Sequence, residues 1–253
     1  MVRAKKHLGQ HFLRDETVAR NIVEGLTTTD IPIIEIGPGT GVLTKYLVDK
    51  PDFYAAEVDT ESVEYLRETY PQLSGKLLEG DVIKMNLKHY FDGKFSIIGN
   101  LPYNISSQIF FKVLENKDQV DEVVCMIQKE VAQRIAEPPG TKTYGILSVL
   151  LQAYYDIEYL FTVHEHVFDP PPKVKSAVIR LKRNKVEAID CDEKAFFRVV
   201  KTAFGQRRKT LRNSLKSMIA GRTDIAEMEI FSLRPERLSV EDFVGLTRLL
   251  ENK

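Results

Sequence analysis

The sequence predicts an α/β fold: a mostly parallel sheet with helices on both faces, joined to a small all-helical domain. Three observations carry that reading. Short apolar runs alternate with amphipathic stretches at the spacing of strand–helix–strand units. A buried run, Ile31-Pro32-Ile33-Ile34-Glu35-Ile36, ends in a glycine turn, Gly37-Pro38-Gly39-Thr40-Gly41, where a helix begins. Past residues 183–190 the periodic stretches are all helical, which places a boundary there.

Taken in order, Val18, Ile22, Val23 and Leu26 recur at helical spacing over residues 15–26, with Asp15 in the N-cap position. Residues 31–36 form a strand and 43–48 begin a helix. Residues 53–58 are the next strand, 62–70 a helix and 76–80 a short strand. Strands over 95–99 and 123–127 are separated by a helix over 105–114 and followed by one over 130–136. The stretch 137–145 opens with Glu137-Pro138-Pro139-Gly140 and reads as a loop. Residues 154–161 and 176–181 are late strands flanking Phe168-Asp169-Pro170-Pro171-Pro172. Helices over 194–204, 207–219, 224–230 and 240–251 follow. The expected domains are 1–185 and 186–253, with no repeat or low-complexity tract.

A hydrophobic content of 43% and a charged content of 28% describe a globular chain rather than a disordered one. No apolar run approaches the roughly 20 residues that span a bilayer. The basic run Met1 to His7 lacks the apolar stretch of a secretory signal. Cys125 and Cys191 cannot build a disulfide framework and fit a reducing compartment, so a cytoplasmic location is expected. The zero net charge conceals a polarity. Residues 170–222 hold fifteen Lys or Arg against four acids, a surplus of eleven, and the remainder is acidic by the same margin. Such a concentration suits a polyanion, the bland alternative being an ordinary solvated helix surface.

Gly37, Gly39 and Gly41 let the backbone approach a ligand closely. That turn alone fits NAD, FAD or S-adenosylmethionine, or merely a tight strand-to-helix junction. Glu57, twenty residues past Gly37 at the end of the next strand, is placed to bind a ribose diol. Asp81, after the third strand, can accept from an adenine amino group or simply shape a turn. The alternatives separate at Asn100-Leu101-Pro102-Tyr103, at the end of the fourth strand. An amide, a backbone carbonyl beside a proline, and an aromatic ring form a cradle for a flat amino-bearing heterocycle. NAD enzymes do not predict such a cradle. The combination points to S-adenosylmethionine and to methylation of a nucleobase amino group.

Five segments then resemble one family. They are Gly9-Gln10-His11-Phe12-Leu13, Glu35-Ile36-Gly37-Pro38-Gly39 and Gly99-Asn100-Leu101-Pro102-Tyr103-Asn104-Ile105-Ser106. Phe168 with Pro170-Pro171-Pro172-Lys173-Val174, and Phe204-Gly205-Gln206-Arg207-Arg208-Lys209-Thr210-Leu211, complete the set. Over essentially its whole length the chain resembles the KsgA-type ribosomal RNA small-subunit adenine dimethyltransferases. The resemblance implies a Rossmann-like S-adenosylmethionine-dependent methyltransferase sheet with a C-terminal helical RNA-binding domain. It implies dimethylation of N6 on two adjacent adenosines near the 3′ end of small-subunit (16S) rRNA, with a role in subunit biogenesis. It places cofactor contacts on His11, Leu13, Gly37, Glu57, Asp81 and Asn100. Most members carry Asn where this chain has His11; a backbone contact survives that change and an amide contact does not.

The catalytic candidates are Asn100, Leu101, Pro102, Tyr103 and Phe168. The lone pair of adenine N6 is delocalised into the ring, so the protein's main task is to align nitrogen, methyl carbon and sulfur. The Asn100 side chain and the Leu101 carbonyl would hold the N6 hydrogens, and Pro102 stiffens the turn. Tyr103 would stack on the base, with Phe168 on its opposite face, although both rings also suit a plain core. No strong base is demanded, because the proton becomes acidic once the methyl is attached. A duplexed base cannot reach such a pocket, so the target must be looped out or flipped. His164-Glu165-His166 put two imidazoles on one strand face without further ligands, and no metal is expected.

Arg207, Arg208, Lys209, Arg212 and Lys216 recur at helical spacing, a stripe suited to phosphates rather than base edges, to which Lys5 and Lys6 add. The expected partner is small ribosomal subunit RNA in the assembling 30S particle, read largely by shape, with the protein a monomer and no membrane involved. One rival is a resistance methyltransferase acting on large-subunit RNA, which shares the cofactor and base motifs. Others are a DNA adenine methyltransferase and an assembly or RNA-binding factor that works without catalysis. The segment Phe204 to Lys209 favours the small subunit, and intact Glu57, Asp81 and Asn100 to Tyr103 favour catalysis.

Overall fold

The order of strands in one sheet brings the two main motifs together. A computed structural model describes residues 2–28 and 30–251. Met1 and Lys253, which belong to the expected domain ranges, lie outside the described residues. The strands are β1 (Phe12–Leu13), β2 (Ile33–Ile36), β3 (Phe53–Glu57), β4 (Leu77–Glu79), β5 (Phe95–Asn100), β6 (Val120–Gln128), β7 (Tyr155–Val163), β8 (Phe168–Asp169) and β9 (Ser176–Arg183). The helices are α1 (Glu16–Glu24), α2 (Thr44–Leu47), α3 (Thr60–Thr69), α4 (Ser106–Glu115), α5 (Lys129–Ala136), α6 (Ile146–Gln152), α7 (Glu193–Gly205), α8 (Leu211–Ser214), α9 (Thr223–Ala226) and α10 (Val240–Glu251).

Seven strands form a sheet in the order β4-β3-β2-β5-β6-β9-β7. Strands β2 to β6 pair in parallel, and β9 runs antiparallel to β6. All four residues of β2 are buried, as befits a parallel strand covered on both faces. The chain order reverses at β2, which has β3 on one side and β5 on the other. In such sheets ligands sit beyond the carboxyl ends of the strands at this switch point. Gly37 follows β2 and Asn100 ends β5, so the two motifs meet there.

Two compact units divide the chain: Met1–Ala132 with Asp156–Arg183, and Gln133–Tyr155 with Asn184–Lys253. In the first, Ile22, Ile33, Phe53, Leu66, Val124 and Phe168 share one buried cluster. Each such side chain, fully buried, is worth about 1.5–3 kcal/mol before ordering entropy is set against it. Helix α1 starts as expected, because the Asp15 carboxylate accepts from the backbone amides of Thr17 and Val18 at 2.8 and 3.0 Å. Strands β1 and β8 pair outside the main sheet, Phe12 opposite Asp169 and Leu13 opposite Phe168. No periodicity marks these two-residue strands, and only folding joins segments 155 residues apart.

In the second unit α7 packs against α6, α8 and α10, and Phe196, Phe231 and Phe243 are fully buried. The expected division at 185/186 differs from these units by the segment 133–155 and by residues 184–185. Helix α6 lies in that segment and has no counterpart in the sequence reading. Its residues Ser148, Val149, Leu150 and Leu151 are all buried, so it lacks the polar face that reveals a helical period. The helix expected over 207–219 shrinks to α8. Helix α7 stops at Gly205 because Gln206 leaves the helical region, at φ −124° and ψ 54°. The helix expected over 224–230 is α9 followed by a 3₁₀ turn, Glu229–Ser232. Glu165 and His166 likewise fall on a 3₁₀ turn, Glu165–Val167, with His164 just before it, rather than on a strand.

Candidate active site

The glycine turn after β2 has φ angles of +68° at Gly37, +56° at Gly39 and +80° at Gly41, the left-handed region that favours glycine. At Gly37 a Cβ would meet nothing nearer than Pro102 Cδ at 3.9 Å, so conformation rather than space demands glycine. At Gly41 a Cβ would lie 2.5 Å from the ring of Tyr70, whose hydroxyl donates to the Gly41 carbonyl. Behind the turn, Glu35 is 1% exposed and accepts from Thr44 Oγ1 at 2.6 Å. Burial pushes its carboxyl up to about 8.

Glu57 closes β3 and is 4% exposed. Its Oε1 accepts from the amides of Val58 and Asp59, both at 2.9 Å, and its Oε2 from the amide of Gly39 at 3.0 Å. Burial holds this carboxyl above the ordinary range, and the three amides pull against that shift. A carboxylate has about four acceptor sites, so Oε2 keeps one for a ligand hydroxyl. Asp81 follows β4, and its Oδ1 accepts from the amide of Ile83 at 3.0 Å.

Asn100 ends β5 and donates from Nδ2 to the carbonyl of His11 at 3.0 Å. A carbonyl can only accept, so the amide nitrogen faces His11 and Oδ1 is left as the uncommitted acceptor. Leu101 is anchored through its amide to the Met126 carbonyl at 3.0 Å. The Tyr103 hydroxyl lies 2.5 Å from Ser176 Oγ. Burial raises the pKa of that phenol, and the bond to Ser176 works the other way.

Most of the expected residues line one pocket, with a cavity volume of about 180 Å³, that opens to solvent. Gly37, Glu57, Asp81, Asn100, Leu101, Pro102, Tyr103 and the expected His11 all line it. Two expected residues do not. Leu13 is 2% and Phe168 4% exposed, both in the buried cluster, because the β1–β8 pair turns them inward. In this arrangement Phe168 offers no face to a base. The sequence reading missed Gln10, Val58 and Asn104, which also line the pocket. Val58 carries a signal that only the structure exposes, an apolar side chain 50% exposed beside Glu57.

The basic stripe is not one helical face. Residues 206–209 form a turn before α8. Arg207 is half-buried and donates to the carbonyls of Lys142 and, at 2.9 Å, Tyr144, so it holds the 142–144 segment in place. Arg212 donates to the Ala226 carbonyl at 3.0 Å. Arg208, Lys209 and Lys216 are exposed. Lys5 pairs with Asp59, while Lys6 is exposed.

A glycine turn, an acid at the end of β3 and an amide–proline–tyrosine cradle at the switch point define a Rossmann-like methyltransferase. A family model for ribosomal RNA adenine dimethylase matches residues 1–239. The chain is 58% identical over 254 residues to ribosomal RNA small subunit methyltransferase A of Bacteroides thetaiotaomicron, covering 99% of this chain and 95% of that one. The protein of the same name from Flavobacterium johnsoniae is 57% identical, with 99% and 97% covered. Among solved structures, a dimethyladenosine transferase from Plasmodium falciparum superposes with a TM-score of 0.75 at 23% identity, covering 95% and 97% of the two chains. The 23S rRNA methyltransferase ErmE gives 0.65 at 24%, covering 94% and 99%; at these identities the likeness is one of fold. The chain belongs to the ribosomal RNA adenine dimethylase family, and it is an S-adenosylmethionine-dependent methyltransferase. Among the described residues no helix is long and apolar enough to cross a membrane.

Proposed function

We propose that this enzyme dimethylates N6 of two adjacent adenosines near the 3′ end of small-subunit rRNA. The observation that carries the reading is the fixed Asn100 amide, whose free Oδ1 stands in the pocket as an acceptor for an exocyclic amino group. The Leu101 carbonyl, beside a proline that supplies no amide hydrogen, is the second acceptor. Holding both N6 hydrogens favours a more tetrahedral nitrogen, whose lone pair is then less committed to the ring. Tyr103 provides the stacking surface. S-adenosylmethionine supplies an electrophilic methyl group. Gly37 lets the backbone approach the cofactor, Glu57 Oε2 accepts from its ribose, and Asp81 accepts from its adenine amino group. The pocket fits such a group by its left-handed glycines and by a buried carboxylate with acceptor capacity to spare.

Arg208, Lys209 and Lys216 bind phosphates of the assembling 30S particle, Arg212 adds its charge, and the protein acts as a monomer in the cytoplasm. Near full-length identity to proteins named for the small subunit favours that substrate over large-subunit RNA. The test is incubation of the enzyme with labelled S-adenosylmethionine and unmethylated small subunits, followed by mapping of the label. Two adjacent dimethyladenosines near the 3′ end are expected. Label confined to large subunits, or none at all, would overturn the reading.

A further inference from the structure

The ring assigned to stacking on the target base is itself backed by another ring. His11 lies against Tyr103 with ring centroids 5.4 Å apart and planes 30° from parallel. Its Nδ1 is 2.7 Å from the carbonyl oxygen of Pro170. That oxygen can only accept, so Nδ1 carries the proton and donates, which fixes the rotation of the imidazole. The carbonyl of His11 meanwhile receives the Asn100 amide. At its far end Tyr103 is held by Ser176, and its backbone carbonyl accepts from Ser106 Oγ at 3.3 Å. One residue therefore touches three parts of the site: its imidazole meets the Tyr103 ring and the proline run, and its backbone carbonyl holds the Asn100 amide nitrogen. Phe168, the residue expected opposite Tyr103, is in the core.

We propose that the His11 side chain is a positioning residue for the target base. It covers one face of Tyr103, so that a flat base is received on the other, and its bond to Pro170 keeps that backing ring in place. The stacked geometry restricts the tilt of Tyr103, and with it the angle at which N6 meets the methyl group, where small misplacements are costly. The imidazole acts through Tyr103 and takes no part in binding the cofactor. The inference rests on the reading of Tyr103 as the base-stacking ring.

Two substitutions separate the ring from the donor. His11→Asn retains a donor for Pro170 and loses the ring; His11→Phe retains the ring and loses the donor. Each is assayed on unmethylated small subunits, beside Tyr103→Ala and with calorimetry of S-adenosylmethionine. His11→Asn is expected to lower kcat by about three- to ten-fold with little change in KM for subunits, because phosphate contacts dominate that affinity. His11→Phe is expected to recover most of the loss, and cofactor affinity should be the same in both. Wild-type kcat in His11→Asn, with Tyr103→Ala impaired, would overturn this inference alone. Wild-type turnover in Tyr103→Ala would instead overturn the reading on which it stands. A ten-fold loss of cofactor affinity in His11→Asn would assign the side chain to the cofactor and also refute the proposal.

Discussion

The amide nitrogen of Asn100 donates to the carbonyl oxygen of His11 at 3.0 Å, which determines the end of the carboxamide that faces a ligand. The same bond ties the end of β5 to the segment leading into β1, so the acceptor is oriented before any substrate arrives. Preorganisation of this kind is what a transfer dependent on alignment requires.

Asn100→Ala should therefore lower turnover on the order of 10²-fold, with RNA affinity barely changed. Asn100→Asp should be comparably poor, because a carboxylate has no hydrogen to give His11 and would meet its carbonyl with like charge. The second methylation should suffer more than the first, since the monomethylated nitrogen has one hydrogen fewer to be held. Mass spectrometry of product nucleosides reads all three outcomes, and dimethyladenosine formed at the wild-type rate by Asn100→Ala would contradict them.

Glu57→Ala should weaken S-adenosylmethionine binding about ten-fold or more, the loss of a charge-assisted hydrogen bond. Because burial raises the Glu57 pKa, the carboxyl takes up its proton at a higher pH than an ordinary glutamate. The ionised form is the one that accepts from hydroxyls without a competing proton. Cofactor affinity should thus fall as pH drops through that raised value, and calorimetry across acidic pH should show a step that Glu57→Ala lacks.

Glu35 gives a stability prediction of defined sign. Its folded-state pKa is about 8 against an ordinary 4.5, so the folded protein retains a proton that the unfolded chain has released. Between those values stability should fall with rising pH, by up to about 1.4 kcal/mol per pH unit from this group. The contribution is complete below 4.5 and gone above 8. Glu35→Gln should flatten this part of the curve in denaturant titrations at several pH values; an unchanged slope would show that Glu35 is ionised when folded.

Arg207 and its neighbours should part company. Arg207→Ala removes a charged donor from two backbone carbonyls and should cost about 1–3 kcal/mol of stability, read from thermal or denaturant unfolding. Reversing Arg208, Lys209 and Lys216 to Glu should leave stability nearly unchanged. It should weaken subunit binding steeply and flatten its dependence on salt. Normal subunit binding by the triple variant at physiological salt would leave these side chains as mere solvated surface.

Much of the site was legible in the sequence because its signals are local. Left-handed glycines, an acid at a strand end and a proline after an amide depend on a few adjacent residues, and Gly37, Glu57, Asp81, Asn100 and Tyr103 do line one pocket. Helix α1 was equally readable, since its cap and apolar period lie within one short stretch. Helix α6 was not, because four consecutive residues, 148–151, are buried and leave no helical period to read, and the stretch after α7 misled because basic residues can keep helical spacing without forming a helix.

By itself the sequence determined the class of fold, the order along the chain of the seven main-sheet strands and most of the expected residues that line the pocket. Each of these follows from backbone preference or hydrophobic period within a window of a few turns. Tertiary structure alone decided which face each aromatic presents and which partner each polar group finds. The pairing of β1 with β8 turned Phe168 into the core and set His11 between Tyr103 and Pro170. The choice of Arg207 as an internal brace, with Arg208 and Lys209 left in solvent, was made the same way. Such outcomes depend on contacts between residues far apart in the chain, and no local preference encodes them.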